Sequence, residues 1–200
     1  MAEQLLLANP TNLRADSARN RSQIVEVARR MVSEDGSLLS MNAIAHAAGV
    51  GVGTVYRHFP TIQVLLESLA ADSFAKLVVE ARQAVLEADA SVALERIIRT
   101  GFDCQMEDPG LAAVLASPSF ECADILDYSA ELFSCIGAII TRARQANVLR
   151  PDITPDDIRR LLNGLAVAAK DLAPRKRAQY LDVLLLGLRP ESTITSRSAA

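Results

Sequence analysis

Tryptophan is missing from this chain, and histidine occurs only twice, as His46 and His58. General acid–base and nucleophilic catalysis lean heavily on histidine. Both histidines fall in one short segment, and no nucleophile elbow, HExxH or phosphate-cradling loop accompanies them. The carboxylates are scattered over helix surfaces, so an enzyme is not expected. Cysteine is scarce too: Cys104, Cys122 and Cys135 are an odd number at irregular spacing. They form no disulfide framework, no CxxC and no zinc pattern, and read as reduced thiols packed as small apolar groups. No metal and no cofactor is expected. Long apolar runs are absent as well. Leu5 to Leu7 is too short for a signal peptide and lacks preceding basic residues. No stretch approaches the length that spans a bilayer, so the expected location is the cytoplasm, away from the membrane.

Excess positive charge is also missing. The formal net charge is −3, and residues 1–70 carry six basic and six acidic side chains. This excludes a broadly basic nucleic-acid coat but leaves room for a small DNA-reading face. Five of those six basic residues, Arg14, Arg19, Arg21, Arg29 and Arg30, lie in one stretch.

What is abundant is helix-forming. Ala and Leu dominate, and the Val and Ile residues recur at helical spacing rather than in alternation. The pattern predicts an all-α fold. Residues 1–16 lack periodicity and read as a flexible arm. From Ser17 a helix begins, with Ile24, Val25, Ala28, Met31 and Val32 on one face and Gly36 closing it. Ser40 can cap a short helix to Ala48, closed by Gly49; a third runs from Val52 to His58, and Thr61 can cap a fourth after Pro60. That fourth helix covers about 62–88, with a possible break near Ala70. Another begins at Ser91. Asp108-Pro109-Gly110 signals a turn, a short segment follows to Ala116, and a long helix runs from Glu121 to Ala146. Thr154-Pro155-Asp156-Asp157 combines a capping threonine, a first-turn proline and two acids facing the helix dipole. Pro174 opens a last helix ending near Gly187. Residues 190–200 are small and polar, and disorder is expected there. The implied division is 1–16, 17–65, 66–189 and 190–200.

The segment AAGVGVGTVYRHFP, Ala47 to Pro60, carries the functional signal. Two short helices joined by a glycine-containing turn form a helix-turn-helix. Ala45 and Ala48 are small enough for the two helices to cross closely. Ile44, Val50, Val55 and Phe59 supply inward apolar positions, which leaves Thr54, Tyr56, Arg57 and His58 on other faces. A short helix ending in polar and aromatic groups suits a major groove.

From Ile24 to Leu66, and most specifically through SMNAIAHAAGV and GTVYRHFP, the chain resembles the DNA-binding domain of the TetR family of transcriptional regulators. The resemblance implies an N-terminal three-helix DNA-binding domain and a larger C-terminal helical domain for dimerisation and effector binding. It implies double-stranded DNA, a second copy of the chain and an unknown small molecule as partners. Residue by residue, Ser40 and the amides after it would meet a phosphate, and Asn42 would reach a base edge. Val52 and Gly53 would open the recognition helix. Thr54 and Tyr56 would contact backbone or bases, His58 a phosphate, and Arg19 and Arg21 flanking phosphates. Three positions depart from the family pattern: Gly51 where Ser or Thr is frequent, Val52 where a polar residue is, and Ile62 where a lysine usually follows Pro-Thr. Ile62 either removes a phosphate contact or packs at the domain junction. With so little basic charge, a TetR-like fold that acts through protein partners is the alternative reading.

The C-terminal domain is expected to dimerise through its last two helices. Leu161, Gly164, Leu165 and Ala168 on one, with Leu181, Leu184, Leu185 and Leu188 on the other, are the candidate interface. Phe102, Met106, Phe120, Tyr128 and Leu132 are the larger side chains expected to line an effector pocket. This half has no histidine, which argues against a metal-ion effector.

Overall fold

A computed structural model describes residues 10–35, 40–117 and 119–190. Among these residues the regular elements are helices and there is no strand. They are α1 (Pro10–Asp35), α2 (Met41–Ala47), α3 (Val52–His58), α4 (Ile62–Leu86), α5 (Ala90–Glu107), α6 (Pro109–Ala116), α7 (Ala123–Gln145), α8 (Pro155–Ala169) and α9 (Pro174–Gly187). Helix α1 starts at Pro10 rather than at Ser17, so the segment expected to be an irregular arm is helical from there on. Proline suits a first turn because its missing amide would be unpaired there anyway. The rest of the expected arm, Gly36 and the tail beyond Pro190 lie outside the described residues.

Local chemistry sets most of the boundaries. Ser40 Oγ accepts the Ala43 amide at 3.1 Å, and Thr61 Oγ1 accepts the Val64 amide at 3.1 Å. The turn between α2 and α3 is closed by Val50 N–H to Ala45 O and Gly49 N–H to His46 O. Gly49 sits at φ +64°, where a Cβ would be strained. Asn147 ends α7 in the same way at φ 55°. Asp108 does more than mark a turn. It ends α5 and caps α6, its Oδ1 accepting the Gly110 and Leu111 amides, with Pro109 in the first turn. Its Oδ2 also accepts the Ser73 hydroxyl at 2.5 Å, which ties α4 to the α5–α6 corner. Thr154 and Asp157 form the reciprocal capping box at the start of α8. Helix α4 is unbroken through Ala70.

Two apolar cores result. The head core gathers Ile24 and Ala28 of α1, Ile44 and Ala45 of α2, Val55 of α3, and Phe59, all fully or almost fully buried. The body core is built from α4 to α9, with Phe74, Ile98, Phe102, Leu111, Ile125 and Ile139 at its centre. Helix α4 belongs to both: Leu65 and Leu69 face the head, and Phe74, Leu77 and Val78 face the body. At 1.5 Å per residue it is a rod of roughly 37 Å. Burying apolar side chains on both stretches makes it the common spine.

Candidate nucleic-acid interface and effector cavity

Helix α3 turns one apolar residue inward and the rest outward. Val55 is buried, whereas Val52, Gly53, Tyr56 and Arg57 are exposed and Thr54 and His58 are half-buried. Tyr56 is 49% exposed, a large side chain left in solvent. Ser40 and Asn42 are exposed at the start of α2, which packs directly on α3. The Thr54 hydroxyl accepts a bond from Arg57 Nη2 at 3.1 Å, and Arg57 Nε donates to Gly53 O at 3.1 Å. Arg57 was not among the implied contacts, yet it lies along the outer face of α3 with its charge exposed.

The flanking arginines have local partners. Arg19 is exposed and pairs with Asp16 at 3.6 Å. The Arg21 guanidinium stacks 5.2 Å from the centroid of the Phe59 ring, so α1 sets its charge directly beside the end of α3. Ile62 is half-buried and packs against the head core with Val64 and Leu66.

Sequence reasoning missed the connection between head and body. Glu67 is 0% exposed, and its carboxylate accepts the backbone N–H groups of Glu121 and Cys122 at 3.0 Å and 2.5 Å and the Gln63 amide at 2.7 Å. Cys122 opens α7 without a side-chain cap of its own. The Glu67 carboxylate therefore lies at the positive end of the α7 dipole and takes the amide of its N-cap residue, Cys122, and that of Glu121 just before it. Thr61 Oγ1, which caps α4, donates to Glu121 at 2.6 Å. The only sequence signal was an acid between Leu66 and Leu69 on an otherwise apolar helix stretch.

A narrow cavity of about 70 Å³ lies between α4, α5, α7 and α8. Its wall is apolar, with Leu94, Ile98, Leu132, Ile136 and Leu162 among its residues, apart from Gln105, Arg159 and Asn163. Of the side chains expected to line a pocket, Leu132 does so. Phe102 is a core residue at 2% exposure, and together with Met106 it faces a separate groove between α5 and α9. Phe120 packs edge-to-face on Phe74, and Tyr128 covers the body core.

Arg159 is already engaged. It donates to Leu115 O at 2.8 Å and twice to Asp156, whose carboxyl also accepts Arg160. The bonds from Arg160 and then Arg159 hold that carboxyl below the usual carboxylate range.

On the outer side of α8 and α9, Leu161, Gly164 and Ala168 are exposed, and Leu165, Leu184 and Leu185 are half-buried. Leu181 and Leu188, expected at the same interface, are 3% exposed and belong to the protein's own core. Val183 and Leu186 of α9 are exposed in their place. The last two helices therefore cover the core and still carry an unpaired apolar face. Among the described residues no helix is long and apolar enough to cross a membrane, and no cluster of His, Cys, Asp and Glu could hold a metal ion.

These features agree with what the chain is similar to. Residues 24–69 match the family model of bacterial regulatory proteins of the tetR family. Residues 89–190 match the C-terminal domain of transcriptional regulators like SbtR. The TetR transcriptional regulator SCO0520 of Streptomyces coelicolor is 32% identical, over 86% of this chain and 99% of that one, with a TM-score of 0.50. The ketosteroid transcriptional regulator KstR2 of Mycobacterium tuberculosis shares the fold at 19% identity and a TM-score of 0.56, over 86% of this chain and 95% of its own. An HTH-type transcriptional regulator of Staphylococcus aureus (strain USA300) is 46% identical over 48 residues, 24% of this chain. The match spans about a quarter (26%) of the length of that relative. Regulators of this kind are not enzymes. With both halves matched and the helix-turn-helix presented at the surface, the chain belongs to the TetR family of transcriptional regulators.

Proposed function

We propose that this regulator is a repressor. Two copies pair through the outer faces of α8 and α9, set two α3 helices on a near-palindromic stretch of double-stranded DNA, and leave it when a small apolar or amphipathic molecule enters the body. The observation that carries the reading is α3 itself: a short helix held rigidly by Val55 and Phe59 in the head core, with Tyr56 projecting into solvent. A two-fold pair of such helices imposes two-fold symmetry on the site. Exposed Leu161 of α8, with Val183 and Leu186 of α9, supplies apolar surface that pairing would remove from water.

Release needs a path from cavity to head. The cavity is walled by α5, α7 and α8, and α7 is bound at its start to Glu67 and Thr61 of the α4 spine. An effector that binds better when α7 shifts would also shift α4, and with it the spacing of the two heads. Selection of bound genomic fragments tests the proposal. Enriched fragments should share an inverted repeat, and the complex should contain two chains per repeat. Enrichment without any repeat, or retention of a protein partner instead of DNA, would overturn it.

A further inference from the structure

Two residues of the cavity wall each carry a buried polar atom that the protein leaves without a partner. Gln105 Oε1 and Asn163 Oδ1 are both buried and make no hydrogen bond. Their amide orientations are set by their other ends. Gln105 Nε2 donates to Gly101 O at 3.2 Å, and Asn163 Nδ2 donates to Leu115 O at 3.0 Å. A carbonyl can only accept, so each nitrogen must point at its carbonyl and each oxygen must be the unpaired end. Gln105 is 95% buried, since only 5% of its surface is exposed. A buried acceptor without a donor is destabilising, and an apolar side chain would have avoided that.

The same two residues also line a depression on the other side, open between α5, α6 and α8 and bordered by Met106, Val167 and Lys170. They stand where the apolar slot meets that depression. Resting on the effector role assigned to this cavity, we propose that Gln105 and Asn163 select the effector. It is a neutral molecule with a slender apolar tail, which enters the slot, and a hydrogen-bond-donating group such as a hydroxyl, which gives its one proton to one of the two free oxygens. A carboxylate would set negative charge against two carbonyl oxygens. The nearby guanidinium of Arg159 does not reverse this preference, because Asp156 and Leu115 O already engage it. An ether or alkane of the same length would leave both oxygens unpaired.

Three probes of matched length test this on the full-length protein: 1-decanol, 1-methoxynonane and decanoate at pH 7. Calorimetry or displacement of a fluorescent apolar dye reads their binding. Decanol is expected to bind about tenfold more tightly than either of the others, the usual value of satisfying a buried acceptor. Gln105→Leu with Asn163→Leu should abolish that preference while the melting temperature holds or rises, since the unpaired oxygens are gone. A positioning or purely structural role would instead lower the melting temperature and leave the preference in place, and would overturn the assignment. Equal binding of decanol and the ether would overturn the donor preference yet keep the cavity as a ligand site. Tightest binding by decanoate would overturn it in favour of Arg159. If no probe binds, the proposal falls. The effector reading of the cavity then falls with it only if no apolar compound that releases DNA competes with the dye.

Discussion

Head and body are held together by the same forces but are specified differently. In the head, a few residues at fixed spacing do separate jobs: Gly49 turns the chain, Ile44 and Phe59 fill the core, and Tyr56 faces outward. Changing any one of them breaks a particular contact. In the body, six helices share one apolar core, and many side chains of similar size are interchangeable within it. The cavity and the exposed outer face are differences between large sums, so they depend on how the helices settle rather than on a motif. Glu67 belongs to neither pattern: it is one charged side chain in apolar surroundings that joins the two regions.

That junction gives the largest expected effect. Replacing Glu67 with alanine leaves the Glu121 and Cys122 amides and the Gln63 side chain without their buried acceptor. The expected cost is about 3 kcal/mol, or a melting temperature about 10 °C lower. Glu67→Gln keeps an acceptor and should lose much less. If the two variants melt alike, the α7 cap is not what makes Glu67 important.

The outer face should respond next. Leu161→Glu with Val183→Glu changes residues already exposed within one chain, so each chain should stay folded. The expected outcome is monomer in sedimentation and loss of tight binding to a palindrome. A dimer that survives both changes would put the pairing surface elsewhere.

A smaller effect is expected on the head side of α4, at Ile62. Half-buried against the head core, it is expected to behave as a packing residue. Ile62→Lys should therefore lower stability by roughly 1–2 kcal/mol and leave the salt dependence of DNA binding unchanged. A log–log salt slope steeper by about 2 would mean that lysine reaches a phosphate in each half of a dimer.

Legibility followed the same division. The helix-turn-helix, its inward residues and the Thr154 cap were readable because each rests on a local rule with a specific residue type. Asp108 read as a turn although it caps a helix, because Asp-Pro-Gly suits both and only the neighbouring backbone decides. Phe102 and Leu188 read as pocket and interface residues, yet both lie in the core. Periodicity shows that a face is apolar and does not say what covers it. The cavity between α4, α5, α7 and α8 has two amides in its wall, Gln105 and Asn163, each with an unpartnered oxygen, and no sequence pattern records that.

Reading of DNA by α3 can be measured on the intact chain. Fluorescence anisotropy at fixed salt, with a near-palindromic fragment selected from genomic DNA and a scrambled copy, compares the native chain with Tyr56→Ala. Tyr56 is exposed and contributes little to the head core, so the variant should melt as the native chain does. Its affinity for the palindrome should fall at least tenfold, while binding to the scrambled copy stays weak and nearly unchanged. Equal affinity of native chain and variant for the palindrome would contradict the account.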